Sequence, residues 1–225
     1  MNICHHPNEE LLLDYASGAL GEGWSLAIAT HLALCPACRR IVGGLEALGG
    51  GLLMDTAPGP VSDHLLDSVL ARIDKMPEND LAPTPAPAPA VSSATGPVPV
   101  LPEPLRGYLG GDAAELQWQR LGLGAYQIPI PTEDERVTAR LLRIPAGRPV
   151  PQHSHGGMEL TLVLTGAFSD STGQYGRGDF QEADEDLEHR PHAAPGEDCI
   201  CLAVTDAPLR FSGGLMRVIQ PLLGI

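Results

Sequence analysis

GRPVPQHSHGGMELTLVLTG, residues 147–166, decides the fold of the C-terminal half. Alternate residues of a strand share a face, so His153 and His155 point the same way. Gly156 and Gly157 then turn the chain, and Glu159 opens a strand that can reach the same point. Further apolar runs recur between Gly and Pro turns: AYQIPI, VTARLLRIPA, MELTLVLTGAF, DCICLAVT, LRFSG and MRVIQPL. Their length and spacing predict an all-β sandwich or barrel. A second segment, GRGDFQEADEDLEHRPHA (176–193), supplies His189 as a fourth candidate ligand. Three imidazoles and a carboxylate suit a divalent metal such as zinc, iron, manganese or nickel.

Upstream of this half, residues 77–104 hold nine prolines among 28 residues. Such a segment builds no core and reads as an extended spacer that separates two modules. Before it the pattern is helical. Asn8 is placed to cap a helix carrying Leu11, Leu12, Leu13, Tyr15 and Leu20. A second helix is expected from about Trp24 to Leu48, with Gly49 to Gly51 as its stop. A third, from about Ser62 to Lys75, carries Leu65, Leu66, Val69, Leu70 and Ile73 as an apolar stripe.

The second of these helices contains THLALCPAC (30–38), an H-x3-C-x2-C spacing. On one continuous helix, steps of four and seven residues bring His31, Cys35 and Cys38 to nearly one face. Two thiolates and an imidazole are most of a tetrahedral zinc site. The start of the chain offers Cys4, His5 and His6 for the fourth position. Three helices in some 75 residues make a small core, which a metal would staple. Cys199 and Cys201 form a separate C-x-C pair, on one face of a predicted strand, and are candidates for thiol redox chemistry or for plain core packing.

The charge narrows the function. The chain carries 28 acidic against 14 basic residues, with the excess shared equally between residues 1–80 and the rest. That disfavours direct nucleic-acid binding and fits a basic protein partner. The sequence shows no apolar run of membrane-span length, the opening MNICHHPNEE does not read as a secretory signal, and the cysteine spacing suggests metal rather than disulfides. A cytoplasmic protein is expected.

The motif G-x5-H-x-H-x3-E-x6-G resembles that of metal-binding cupins. The second cupin element is looser, with an acidic run in place of its usual P-x-G, and spacing from Gly178 favours His189 over His192. The helical domain, linker and cupin together resemble the ChrR-type anti-sigma factors. The resemblance runs through HHPNEELLLDYASGAL, ATHLALCPAC, the H-x-H-x3-E motif, EDLEH and PGEDCICLAVTDAPLRF. It implies a two-domain α+β chain: a zinc-binding all-α domain over 1–76, a Pro/Ala-rich linker over 77–104, and a cupin jelly roll over 105–225. It implies zinc on His6, His31, Cys35 and Cys38, and zinc or another divalent metal on His153, His155, Glu159 and His189. It also implies sequestration of an extracytoplasmic-function sigma factor, with release under oxidative stress of the singlet-oxygen type. A pairing of two copies through the cupin stays open. The competing class is a metal-dependent cupin enzyme, dioxygenase-like, with a zinc-stabilised appendage.

Overall fold

The structure, a computed structural model, describes residues 3–76, 99–122, 124–134 and 136–211. Residues 77–98 of the spacer expected over 77–104, and the expected strand MRVIQPL, lie outside them. The chain divides into two compact units, residues 1–49 with 99–225, and residues 50–98. The first 49 residues thus share a unit with the cupin, where the proline count sets a boundary after residue 76.

Asn8 caps α1 (Glu9–Ser17) by accepting from Leu11 N–H at 2.8 Å, and Gly18 ends it in the left-handed region. The long second helix expected from sequence is two helices. α2 (Glu22–Leu34) and α3 (Pro36–Met54) meet at 120° across Cys35. Pro36 is the cause. A residue before proline is pushed out of the α region, and Cys35 sits at φ −107°, ψ 101°. Proline then starts the next helix without loss, because its missing N–H would be unpaired there. Gly49 to Gly51 are not a stop; α3 runs through them. In the other unit, α4 (Leu65–Ile73) leaves its apolar residues exposed. A further helix, α5 (Glu103–Leu109), begins inside the expected spacer. Leu101 is already buried there, its N–H and that of Val100 bound to the Asp112 carboxylate. No single helix among the described residues is long and apolar enough to cross a membrane.

The β half forms the antiparallel barrel that the cupin resemblance implies. Its six-stranded antiparallel sheet runs in the order β1 (Gln119–Gly122), β2 (Ala125–Ile130), β3 (Thr138–Ile144), β11 (Cys199–Thr205), β5 (Glu159–Thr165) and β8 (Phe180–Ala183). Two small sheets complete the barrel. One orders β10 (His192–Ala193), β6 (Ala167–Ser169) and β7 (Gln174–Gly176); the other orders β12 (Arg210–Phe211), β4 (His153–Ser154) and β9 (Glu188–His189). Gly166, the last residue of the motif, takes φ 65° between β5 and β6, where a side chain would press on the Asp198 backbone.

Both faces of the central strands β5 and β11 are buried, for different reasons. Leu160, Leu162 and Leu164 of β5, Leu202 and Val204 of β11 and Leu141 of β3 join Leu26 and Ile28 of α2 in one core. The alternate residues Val163 and Cys199 turn to the barrel side, with Phe168, Tyr175 and Ala193. Full burial of each such side chain stabilises by about 1.5–3 kcal/mol. The helical segment is therefore a lid on the cupin sheet, and removing either would expose a row of leucines.

Leu162→Ala, at a fully buried position, should cost about 2–5 kcal/mol. Helical and sheet signals should be lost together in denaturant, followed by circular dichroism and Trp fluorescence. Separate transitions for helices and sheet would contradict a shared core.

Candidate metal centres

The turn at Cys35–Pro36 assembles the first centre. His31 stands in the last turn of α2, Cys35 at the junction and Cys38 in the first turn of α3. His6 arrives from the N-terminal segment. The four donor atoms converge: His31 Nε2 to Cys38 Sγ, His6 Nδ1 to Cys35 Sγ and His6 Nδ1 to Cys38 Sγ are each 3.4 Å. Bonds of about 2.0–2.1 Å to nitrogen and 2.3 Å to sulfur place tetrahedral donors roughly 3.3–3.8 Å apart. The cluster fits one such ion. The sequence placed the triplet on a single helix face, whereas the fold uses the bend between two helices.

Electrostatics agree with that fit. Burial, then the neighbouring His6, pushes His31 down to about 4, so its ring is neutral. Its Nδ1–H donates to the Gly178 carbonyl at 3.0 Å, which leaves the Nε2 lone pair for a metal. Burial and the adjacent Cys35 push the Cys38 thiol up to about 12. A bound cation reverses this by displacing the thiol proton.

The N-terminal segment reaches its place along the free edge of β8. Phe180 N–H donates to His5 O at 3.1 Å. The Asp179 carboxylate accepts from Cys4 N–H at 2.7 Å and from His5 N–H at 3.0 Å. Glu182 accepts from the Asn8 backbone and side-chain amides. His5 itself packs its ring, tilted by 39°, against Tyr175, and Cys4 is exposed. His6 is the N-terminal residue that enters the cluster.

The second centre lies in the barrel. His153, His155 and His189 converge, with His189 Nε2 at 3.1 Å from the Nε2 of each of the others. All three are buried. The pairing is informative. His153 Nδ1–H donates to Pro151 O at 2.9 Å and His189 Nδ1–H to the Asp170 carboxylate at 2.6 Å. With both Nδ1 atoms committed to these acceptors, His153 and His189 turn their Nε2 atoms toward one point, together with Nε2 of His155. Burial first, then the neighbouring imidazoles, holds His153 and His155 down to about 4, so a proton is a poor filler. Nitrogens on one metal at about 2.0–2.1 Å stand roughly 2.9–3.3 Å apart. A divalent ion fits.

Glu159 does not join the converging set. Its carboxylate accepts from Thr161 at 3.2 Å and lies 3.9 Å from His155 Nδ1, a buried atom with no hydrogen-bond partner. Burial raises it to about 7, against the pull of Thr161 and Arg140. His192 is exposed on β10 and outside the cluster. Cys199 and Cys201 are both buried on β11. The neighbouring Cys199 thiol, then burial, drives the Cys201 thiol well above its ordinary value.

Asp170 is the residue that sequence reasoning missed. Its side chain is wholly buried against His189. Burial alone would raise its pKa, but bonds from Thr172, Gln181 and His189 hold it at about 2. The carboxylate fixes the tautomer and direction of His189. Nothing local marks it, because it stands 19 residues before the ligand it serves.

Residues 109–208 match the family model of a ChrR cupin-like domain. Anti-sigma-E factor ChrR of Cereibacter sphaeroides is 47% identical over 100% of both chains. The anti-sigma ChrR in complex with SigE from Rhodobacter sphaeroides aligns with a TM-score of 0.77 and 44% identity. That alignment covers 91% of this chain and 100% of that one.

The two donor clusters set an expected load of two metal ions per chain. Cys35→Ser with Cys38→Ser should leave about one ion, while Asp170→Asn should weaken the barrel site about 10–100-fold. Elemental analysis and chelator competition measure both. Full metal content in the double cysteine variant would remove the first centre from the account.

Proposed function

The chain belongs to the family of ChrR anti-sigma factors, and we propose from this that it sequesters an extracytoplasmic-function sigma factor and so blocks transcription. The observation that carries the reading is the full-length match, which spans the four-donor cluster, the helices around it and the cupin. Zinc is the ion for His6, His31, Cys35 and Cys38, since two thiolates with two imidazoles form a closed tetrahedral site with no position left for substrate. The ion organises the bend between α2 and α3 and needs no turnover to act.

Exposed apolar side chains support a protein partner. Leu65, Leu66, Val69, Leu70 and Ile73 of α4 are 42–67% exposed, and Leu48, Leu52 and Leu53 of α3 are 63–70% exposed. Side chains of this size left in water mark interaction surfaces on each helix. An acidic chain presenting apolar helices suits a basic, DNA-binding protein. The site of action is the cytoplasm, where sigma factors meet RNA polymerase.

The cupin serves release. His153, His155 and His189 hold zinc or another divalent ion, and Glu159 turns in as the carboxylate ligand once a cation offsets its buried charge. Oxidative stress of the singlet-oxygen type acts on this domain and lowers the affinity for the sigma factor. The enzyme reading has less support: the relative matched over its whole length is an anti-sigma factor.

Affinity capture from the source cells tests the proposal. The wild-type chain should retain a sigma factor in equimolar amount, and Cys35→Ser with Cys38→Ser should lose it. Leu66→Asp with Leu70→Asp should cut capture at least about tenfold while leaving metal content unchanged, because both side chains are exposed. Capture of no sigma factor by the wild-type chain would overturn the assignment.

A further inference from the structure

The two metal clusters are joined by one short strand. On the barrel side, the Asp170 carboxylate that holds His189 also accepts from Gln181 Nε2 at 2.8 Å. The same amide reaches Thr172 at 2.9 Å. Gln181 is 4% exposed and belongs to β8. The residues just before it serve the other cluster. Phe180 packs edge-on against the His31 ring, with centroids 5.6 Å apart. Its N–H, with the Asp179 carboxylate, holds the N-terminal segment that delivers His6. Gly178 O accepts from His31 Nδ1–H. Gly178 has φ 88°, and a side chain there would meet Ile3, so the segment is seated closely.

We infer that residues 178–181 form an outer shell common to both clusters, through which metal occupancy of the cupin tightens metal binding at the His6, His31, Cys35 and Cys38 site. This rests on reading both clusters as metal sites. The bistable element is the N-terminal segment, seated on the β8 edge or lifted from it. A cation on His189 fixes its ring, the ring fixes Asp170, and Asp170 fixes Gln181 and the strand. A fixed edge favours the seated segment and keeps His6 in place. An emptied cupin lets Asp170 and Gln181 relax, and the seat loosens. Linkage makes the effect reciprocal, and couplings of this kind span about 5–150-fold in affinity.

Cobalt(II) titration of the full chain tests this. Only the N-terminal cluster holds sulfur, so thiolate-to-cobalt charge-transfer absorption reports that cluster alone. His155→Gln, which empties the cupin, should weaken cobalt binding at the N-terminal cluster by about fivefold or more. In a Gln181→Leu background, where the amide bond to Asp170 is gone and volume is kept, the same change should have less than about a twofold effect. The reverse measurement guards against a misfolded variant. Cys38→Ser should weaken cobalt binding at the cupin, read from ligand-field bands, by the factor found in the first direction. Equal N-terminal affinities with filled and emptied cupin would overturn the coupling while leaving both metal sites intact. Absence of the thiolate band in the wild-type chain would overturn the metal reading of the first cluster and the coupling together.

Discussion

The free edge of β8 is the constraint around which the molecule is arranged. An unpaired strand edge exposes backbone donors and acceptors and invites association with other chains. Here the N-terminal segment covers it, with His5 O accepting from Phe180 N–H and the Asp179 carboxylate taking two further amides. Covering the edge also brings His6 to the bend between α2 and α3. A protective contact of the cupin thus assembles a donor set that no single helix contains. The same strand packs Phe180 into the core that α2 shares with the sheet.

Much of this was legible from spacing. H-x3-C-x2-C and H-x-H-x3-E each announce donors for a metal, and His31, Cys35 and Cys38 converge, as do His153 and His155, while Glu159 stays outside. His6 came from the family resemblance, since spacing left Cys4, His5 and His6 open. The helix carrying the first motif was misread because its periodicity outweighed Pro36, which excludes Cys35 from the α region. Gly49 to Gly51 looked like a stop, yet glycine costs a helix only about 1 kcal/mol each, and α3 passes through. Strands of two or three residues, such as β4, β9 and β10, carry no pattern to read. The shared core was hidden for a related reason. β5 is buried on both faces, so ELTLVLT reads as a plain apolar run and does not reveal that a helix lies on one side. Asp170 and Gln181 were out of reach because their roles depend on pairing across the barrel.

The division of labour between domains follows from this packing. A tether of prolines suggests a sensor and an inhibitor that act at a distance. The structure instead lays α2 directly on the cupin sheet, so a change in the barrel meets the helical lid through packed leucines and one hydrogen-bonded strand. Binding by exposed apolar helices needs only an intact surface. Release needs a change in the relative stability of two arrangements, which an N-terminal segment seated on β8 by a few hydrogen bonds can supply. A barrel that gathers three buried histidines and shares its core with α2 is therefore suited to regulation, and the cysteine–histidine cluster ties α2 and α3 to the N-terminal segment.

On the proposed function, metal-organised helices withhold a sigma factor from RNA polymerase. Transcription with purified polymerase and the sigma factor recovered from the same cells tests it most directly. Metal-loaded full-length chain should abolish transcripts from a promoter of that sigma factor once the two are equimolar. Stripping the metal with chelator should restore them. Undiminished transcription in the presence of excess metal-loaded chain would contradict the account.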